Sequence, residues 1–275
     1  MRPEVSSMIP LLLIGASGLA REVISSLRGT DTYDVVGVLD DEEHLLKTDL
    51  DGVSILGLVS DAGLYPRAQF LVCASSRTAR RRGVEALCDV GVTADRYATV
   101  IDRSVRVPPG CCVGTGSIVL AHVVMTTAVS IGHHAVVMPR VSLAYDDILE
   151  DFSMLAAGTA LGGQVHVGRE AYLGMNSSVR GGVLIGAGAS VDMGAAVLED
   201  VPAGERWGGV PAAPVSRGAR TGFDRLRGGI GSSSAFERLV MSASFRTQGN
   251  ELGAISSKSD GRTYVHNQPY LGEVS

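Results

Sequence analysis

From Ile101 onward every sixth residue is aliphatic, through Val119, Ile131, Leu143, Leu155, Val167, Val179 and Val191 to Val197: seventeen positions without an insertion. A period of six is neither the 3.6 of a helix nor the 2 of an isolated strand. The residues two places earlier are mostly small or branched, as at Cys111, Ser117, Val129, Ala135, Thr159, Val165 and Ala171. Gly follows the aliphatic residue at Gly114, Gly132, Gly162, Gly168, Gly174 and Gly186. Two inward residues per short strand, one large and one small, then a turn tolerating unusual backbone angles, make the hexapeptide signature of a parallel β-helix. Three hexads close one triangular coil, so the run predicts between five and six coils.

Composition agrees. Apolar residues make up 45% of the 275-residue chain and aromatics only 5%, with 35 glycines, as a core of small and branched aliphatics in tightly turning backbone requires. The net charge of −5 gives no electrostatic footprint for nucleic acid. No run reaches the ~18 apolar residues of a membrane span. MIPLLLIGASGLA imitates a signal peptide, but the preceding MRPEVSS is charge-balanced and the glycines lead into a helical pattern. A soluble, cytoplasmic protein is expected. Cys73, Cys88, Cys111 and Cys112 lack metal-ligand spacing and read as small buried hydrophobes in a reducing compartment. No two of the six histidines are eighteen residues apart, so no zinc cluster is expected to stack between coils, and no metal is expected.

Ahead of the repeat, LLLIGASGLAREVISSL reads as a buried strand, a glycine turn and an amphipathic helix. DVVGVLDDEE is a second strand ending in acid, and AQFLVCASSRTARRRGVEAL a third strand with its helix. This is a short βαβαβ unit. Gly15, Ser17 and Gly18 form a partial dinucleotide fingerprint lacking the middle glycine. A glycine turn at a helix N-terminus offers free N–H groups to a phosphate, and Asp40 and Asp41 lie where a carboxylate commonly meets a ribose hydroxyl. The plainer reading is tight strand–helix packing and a solvated strand end. The expected organisation is a Rossmann-like α/β domain over 8–97, a β-helix over 98–214, and a Gly-, Ser- and Arg-rich tail over 215–275 with default disorder and about one helical turn at Phe236–Val240.

The hexads and the closing VPAGERWGGVPAAP resemble the left-handed β-helix acyltransferases. With Gly15-Ala16-Ser17-Gly18, Leu39-Asp40-Asp41 and Ala74-Ser75-Ser76 followed by Arg80, the chain is similar to sugar O- and N-acetyltransferases of the sialic-acid and bacillosamine type. The resemblance implies a left-handed helix, a homotrimer with active sites in clefts between prisms, and acetyl-CoA as acyl donor. It also implies a sugar or sugar-nucleotide acceptor held by Gly15, Ser17, Gly18, Asp40, Asp41, Ser76 and Arg80, with Met154, Gly163, Met175 and Gly194 toward the donor. In that family a His acts as general base. Aligning Asp151-Phe152-Ser153-Met154 with the family's EFSH puts Tyr145 at that His and Asp146 at its acidic partner. Met154 replaces a second His, and Leu19 the His of the glycine turn.

Tyr145 and Asp146 are therefore the candidate catalytic pair, although a phenol near pKa 10 is a poor base at neutral pH. Asp147 fills a slot that is small elsewhere, so it either bends the coil outward, as a local bulge at a cleft edge, or is buried with a partner. His133 and His134, twelve residues before Tyr145, fall on a different corner and read as exposed turn residues; His122 and His166 point outward. Two functions stay open: an acyltransferase, for which N-acylation of an amine is the easier chemistry, and a trimeric binding or structural homologue that has lost turnover.

Overall fold

The structure, a computed structural model, describes residues 8–215; the tail and its expected helical turn lie outside them. From Cys112–Val113 to Ala196–Val197 the chain forms strands two residues long, each separated from the next by a four-residue turn. Each pairs in parallel with the strand eighteen residues on, as Ser130 with Ile148, Ile148 with His166 and His166 with Leu184. Three parallel sheets result, one for each side of a prism. The hexad residues from Val119 to Val197 are all buried and share one apolar cluster with the apolar residues among those two places before them, while Ser117, Asp147, Ser153, Thr159 and Ser177 are buried polar residues in the same slot. The ladder fails at its start: Val107 is exposed, because no strand forms between Ile101 and Cys112, and Ile101 and Val113 are only half-buried. At the other end Trp207 joins the same cluster.

Turns carry the cost of this tight path. Ala128, Asp146 and Gln164 stack at one corner with φ of 53°, 58° and 62°, and His134, Phe152 and Glu170 at another with 53°, 58° and 55°. Left-handed backbone disfavours side chains with a Cβ. Each turn is repaid by a coil-to-coil bond, such as the Asp146 N–H to the Thr127 carbonyl at 3.1 Å.

The three sides meet different surroundings. One presents Cys112, Ser130, Ile148, His166 and Leu184, and another Val124, Ser142, Ala160, Ser178 and Ala196; both are open. The remaining side, with Ile118, Val136, Met154 and Tyr172, is covered by the front of the chain. There a five-stranded sheet runs in the order β3-β4-β2-β1-β5, from β1 (Ile9–Ile14), β2 (Tyr33–Leu39), β3 (Asp49–Leu50), β4 (Val53–Gly57) and β5 (Gln69–Val72). All pairings are parallel except the β3–β4 hairpin, which the sequence reading did not anticipate. Alternation along β1 sends Leu11 and Leu13 toward α1 (Gly18–Leu27) and the prism, and Leu12 and Ile14 toward the other layer with Phe70 and Leu87.

The second helix, α2 (Arg77–Asp89), is strapped to the prism by arginines. Arg77 donates to the Ala189 carbonyl at 2.9 Å, and Arg81 pairs with Glu170 at 3.1 Å. Arg80 is fully buried: Nε donates to the His134 carbonyl, Nη1 to Ala74, and Nη2 to Phe152 and Ser153, at 2.8–3.2 Å. Burial, with Arg77 nearby, pushes its guanidinium down to about 10, still charged at neutral pH. With four of its five N–H donors taken and no solvent access, Arg80 serves in this structure as a brace and not as the open acceptor-binding group expected of it.

Two further expectations are corrected. Only Cys73 is buried; Cys88 on α2 and Cys112 on the prism surface are exposed, and Cys111, packed against the prism core at its incomplete first coil, is intermediate. His133 is exposed but His134 is not: its ring sits edge-on to Tyr97 at 4.8 Å and stacks on Phe152 at 5.1 Å. Burial, with His133 and Arg80 adding like charge, pushes it down to about 4, so it is neutral.

Candidate active site

The turn carrying Tyr145 and Asp146 joins the two open sides of the prism. Asp147 holds it from within. The register continues past this residue, with the Ser130 N–H bonded to the Asp147 carbonyl at 2.9 Å, so the coil does not bulge. Instead the Asp147 carboxylate is fully buried and accepts the Ala144 N–H at 2.8 Å and the Val165 N–H of the next coil at 2.9 Å. Burial pushes it up to about 6 despite those two donors, with Asp146 adding to the rise. Ser117 does the neutral equivalent at another corner, accepting the Ala135 N–H at 2.9 Å.

Tyr145 is left 51% exposed. Its ring lies over Gly163 of the next coil, where an added Cβ would strike it. Gly162 and Gly181 meet beneath, a Cβ on the first falling 2.5 Å from the second's nitrogen, so glycine is required for the coils to approach. Asp146 is exposed at the apex. No hydrogen bond joins its carboxylate to the Tyr145 hydroxyl.

The other residues aligned with a donor do not converge here in one chain. Met175 and Gly194 lie on the corner between the covered side and the small-residue side, linked by the Gly194 N–H to the Met175 carbonyl at 2.8 Å. Met154 is 9% exposed and belongs to the apolar cluster that the covered prism side shares with α1 and the front sheet. That corrects the expectation for Met154: its outward position is buried beneath the front of the chain and does not face an open groove.

The front residues do gather, at the carboxyl ends of β1, β2 and β5. Gly15 takes φ 96°, and nothing lies within 4 Å of a Cβ built on Gly18, so the turn is open above. Ser17 is occupied as the N-cap of α1, accepting from Leu19 and Ala20 and donating to the Cys73 carbonyl. Asp40 accepts the Ala16 N–H at 2.6 Å and the Glu42 N–H at 2.8 Å, while Asp41 accepts the Val59 N–H at 3.0 Å. Thus one donor a phosphate would use is already taken by a carboxylate. Ser76 caps α2 through the Ala79 N–H at 3.4 Å.

The sequence reading left one pair aside. His166 Nε2 lies 2.7 Å from Glu150 Oε1, and Glu150 Oε2 accepts the Arg169 N–H at 2.8 Å. Register could have found it: His166 faces Ile148, eighteen residues back, and Glu150 is two residues further on. The pair lines a groove of about 380 Å³ together with Leu184, Ala187, Val201 and Pro202. Among the described residues no cluster of His, Cys, Asp and Glu could hold a metal, and no helix is long and apolar enough to cross a membrane.

No protein-family profile matches the chain. Two curated relatives are UDP-3-O-acylglucosamine N-acyltransferases, from Caulobacter sp. (35% identical over 104 residues, 37% of this chain and 31% of that one) and from Methylobacterium sp. (34% over 117 residues, 42% and 28%). The chain thus spans about a third of the length of these relatives. Among solved structures, PerB from Caulobacter crescentus, in complex with CoA and GDP-perosamine, is 27% identical with a TM-score of 0.70, covering 75% of this chain and 97% of that one. The acetyltransferase domain of PglB from Neisseria gonorrhoeae is 24% identical with a TM-score of 0.69, covering 75% and 100%, and shares the fold. The chain is, by fold, a hexapeptide-repeat β-helix similar to acyl- and acetyltransferases with CoA and sugar-nucleotide ligands.

Proposed function

We propose that this protein is an acyltransferase moving an acetyl or other acyl group from coenzyme A to an amine or hydroxyl of a sugar, most simply a sugar nucleotide. The observation that carries the reading is the likeness to PerB over nearly all of that chain, which was solved with CoA and GDP-perosamine. In this reading the prism is left-handed, three copies assemble, and donor sites fall in the clefts between them, where Gly163 of one corner and Met175 and Gly194 of another can meet across two chains. The Rossmann-like front edge, with Gly15, Ser17, Gly18, Asp40, Asp41 and Ser76, holds the acceptor, and the protein works in the cytoplasm.

The chemistry needs an acceptor N–H or O–H to attack the thioester carbonyl, the C–S bond to break and a proton to leave. Tyr145, standing where the family's His does, meets the reacting atoms through its hydroxyl, and Asp146 holds an ammonium acceptor before it loses its proton. Binding and orientation then carry much of the rate. Thiol release from acetyl-CoA over a panel of amino-sugar nucleotides tests the reading. Tyr145→Phe and Asp146→Asn are each expected to lower kcat by about 10-fold or more; unchanged rates in both would remove the chemistry from this corner. Gly163→Ala is expected to displace the Tyr145 ring and lower kcat by up to roughly 100-fold, with little change in melting temperature, because only an exposed ring must move.

A second reading is a binding trimer without turnover. It is favoured by the missing hydrogen bond between Tyr145 and Asp146. Its signature is coenzyme A binding with no thiol release from any acceptor.

A further inference from the structure

Tyr145 is half-exposed and its hydroxyl has no hydrogen bond to the Asp146 carboxylate, so this corner holds no oriented proton acceptor for the proposed reaction. The prism carries a better one. His166 lies on the strand that leaves the Tyr145 corner, one coil above Tyr145 and three residues past Gly163, on the open side of the prism. Glu150 fixes it with one carboxylate oxygen while the Arg169 N–H fixes the other. A carboxylate accepting from Nε2–H sets the imidazole tautomer and leaves the Nδ1 lone pair free. Nδ1 has no partner among the described residues, and the side chain is 41% exposed and lines the groove with Leu184, Ala187 and Val201. By contrast, His134 is buried and neutral, while His122 and His133 make no side-chain hydrogen bond to a carboxylate.

We propose that His166, oriented by Glu150, is the general base of the acyl transfer, which rests on the acyltransferase reading above. The acceptor heteroatom bonds to the thioester carbonyl carbon while Nδ1 takes its proton. When the tetrahedral intermediate collapses, the C–S bond breaks and the imidazolium returns that proton to the departing thiolate. Glu150 is a positioning residue: it holds the ring and stabilises the imidazolium. The charged groups around His166 are Glu150, Asp200, which lines the same groove, and Arg169 with Asp151, which pair at 3.8 Å on the adjoining corner.

The test is the pH dependence of thiol release from acetyl-CoA with an amino-sugar nucleotide that the wild type accepts. His166→Asn is expected to lower kcat by about 100-fold or more with KM within about 3-fold, and to abolish the acid limb of the profile. Glu150→Gln retains a hydrogen-bonding group, so it is expected to lose about 10-fold and to move the acid limb to lower pH, which a merely structural role would not do. Melting temperatures check that each variant folds; should His166→Asn fail to fold, the limb shift in Glu150→Gln decides. A wild-type rate and acid limb in folded His166→Asn would overturn the base assignment alone. A wild type that releases no thiol with any acceptor would overturn it together with the acyltransferase reading.

Discussion

Arg80→Met is expected to destabilise the protein by about 2–4 kcal/mol, read as a lower urea midpoint. The guanidinium is the sole side-chain donor to three carbonyls, those of Ala74, His134 and Phe152, and it shares Ser153 with the Val136 N–H. Leaving a buried carbonyl unpaired costs roughly 1–3 kcal/mol, and at least the His134 and Phe152 bonds are buried. Part of the loss is offset because Met no longer carries a charge into the interior. Methionine fills much of the same volume, so the change isolates the hydrogen bonds. Amide exchange should quicken first at residues 134–136 and 152–154, where α2 is braced against the prism. An unaltered midpoint would mean that the arginine contributes nothing net to the joint.

Asp147 is expected to make stability fall as pH rises from about 4 to about 6. Its carboxyl is pushed up to about 6 in the fold, against 3.8 for an ordinary aspartate. Between those values the folded protein binds more protons than the unfolded chain, so the stabilisation is fully present below about pH 4 and is lost by the time pH passes 6. The loss is on the order of 2–3 kcal/mol. Other acids titrate in the same window, so the measurement is a comparison with Asp147→Ser, whose hydroxyl follows the precedent of Ser117 in accepting a coil-to-coil N–H. The stability difference between the two proteins should change by that amount between pH 4 and 6. Parallel curves would show that the buried carboxylate is not destabilised by its surroundings. Because Asp147 ties Ala144 to Val165, the residues bracketing Tyr145 and Gly163, this titration also acts on the proposed site.

Much of the prism was legible because a six-residue repeat matches neither the 3.6-residue period of a helix nor the unbroken two-residue alternation of a long strand. Once Val119 and its successors point inward, six-residue spacing leaves no alternative placement for Met154 or His166 but outward. What outward means for each was not legible. Met154 is buried in the cluster shared with the front of the chain, whereas His166 stands on an open side beside Glu150. Both occupy the same slot in the repeat. Local pattern also failed at Val107, whose hexad is intact but whose coil lacks a strand to pair with, and at Asp147, where two distant backbone N–H groups decided between a bulge and burial. His134 and Arg80 follow the same logic. A residue read as an exposed turn and one read as an acceptor-binding group are both buried, because α2 and the prism close on each other there.

The sequence by itself determined the stacked-coil architecture, the parallel strands ahead of it and the identities of the groups able to do chemistry, since these follow from periodicities and residue types within a few neighbours. Only the tertiary structure decided which of those groups are free to act. Burial of one prism side removed Met154 and Arg80, and the coil-to-coil register placed a carboxylate against His166. Solvent access and hydrogen-bond pairing depend on residues far apart in the chain, and a repeat that gives every coil the same local pattern carries no record of what packs against it.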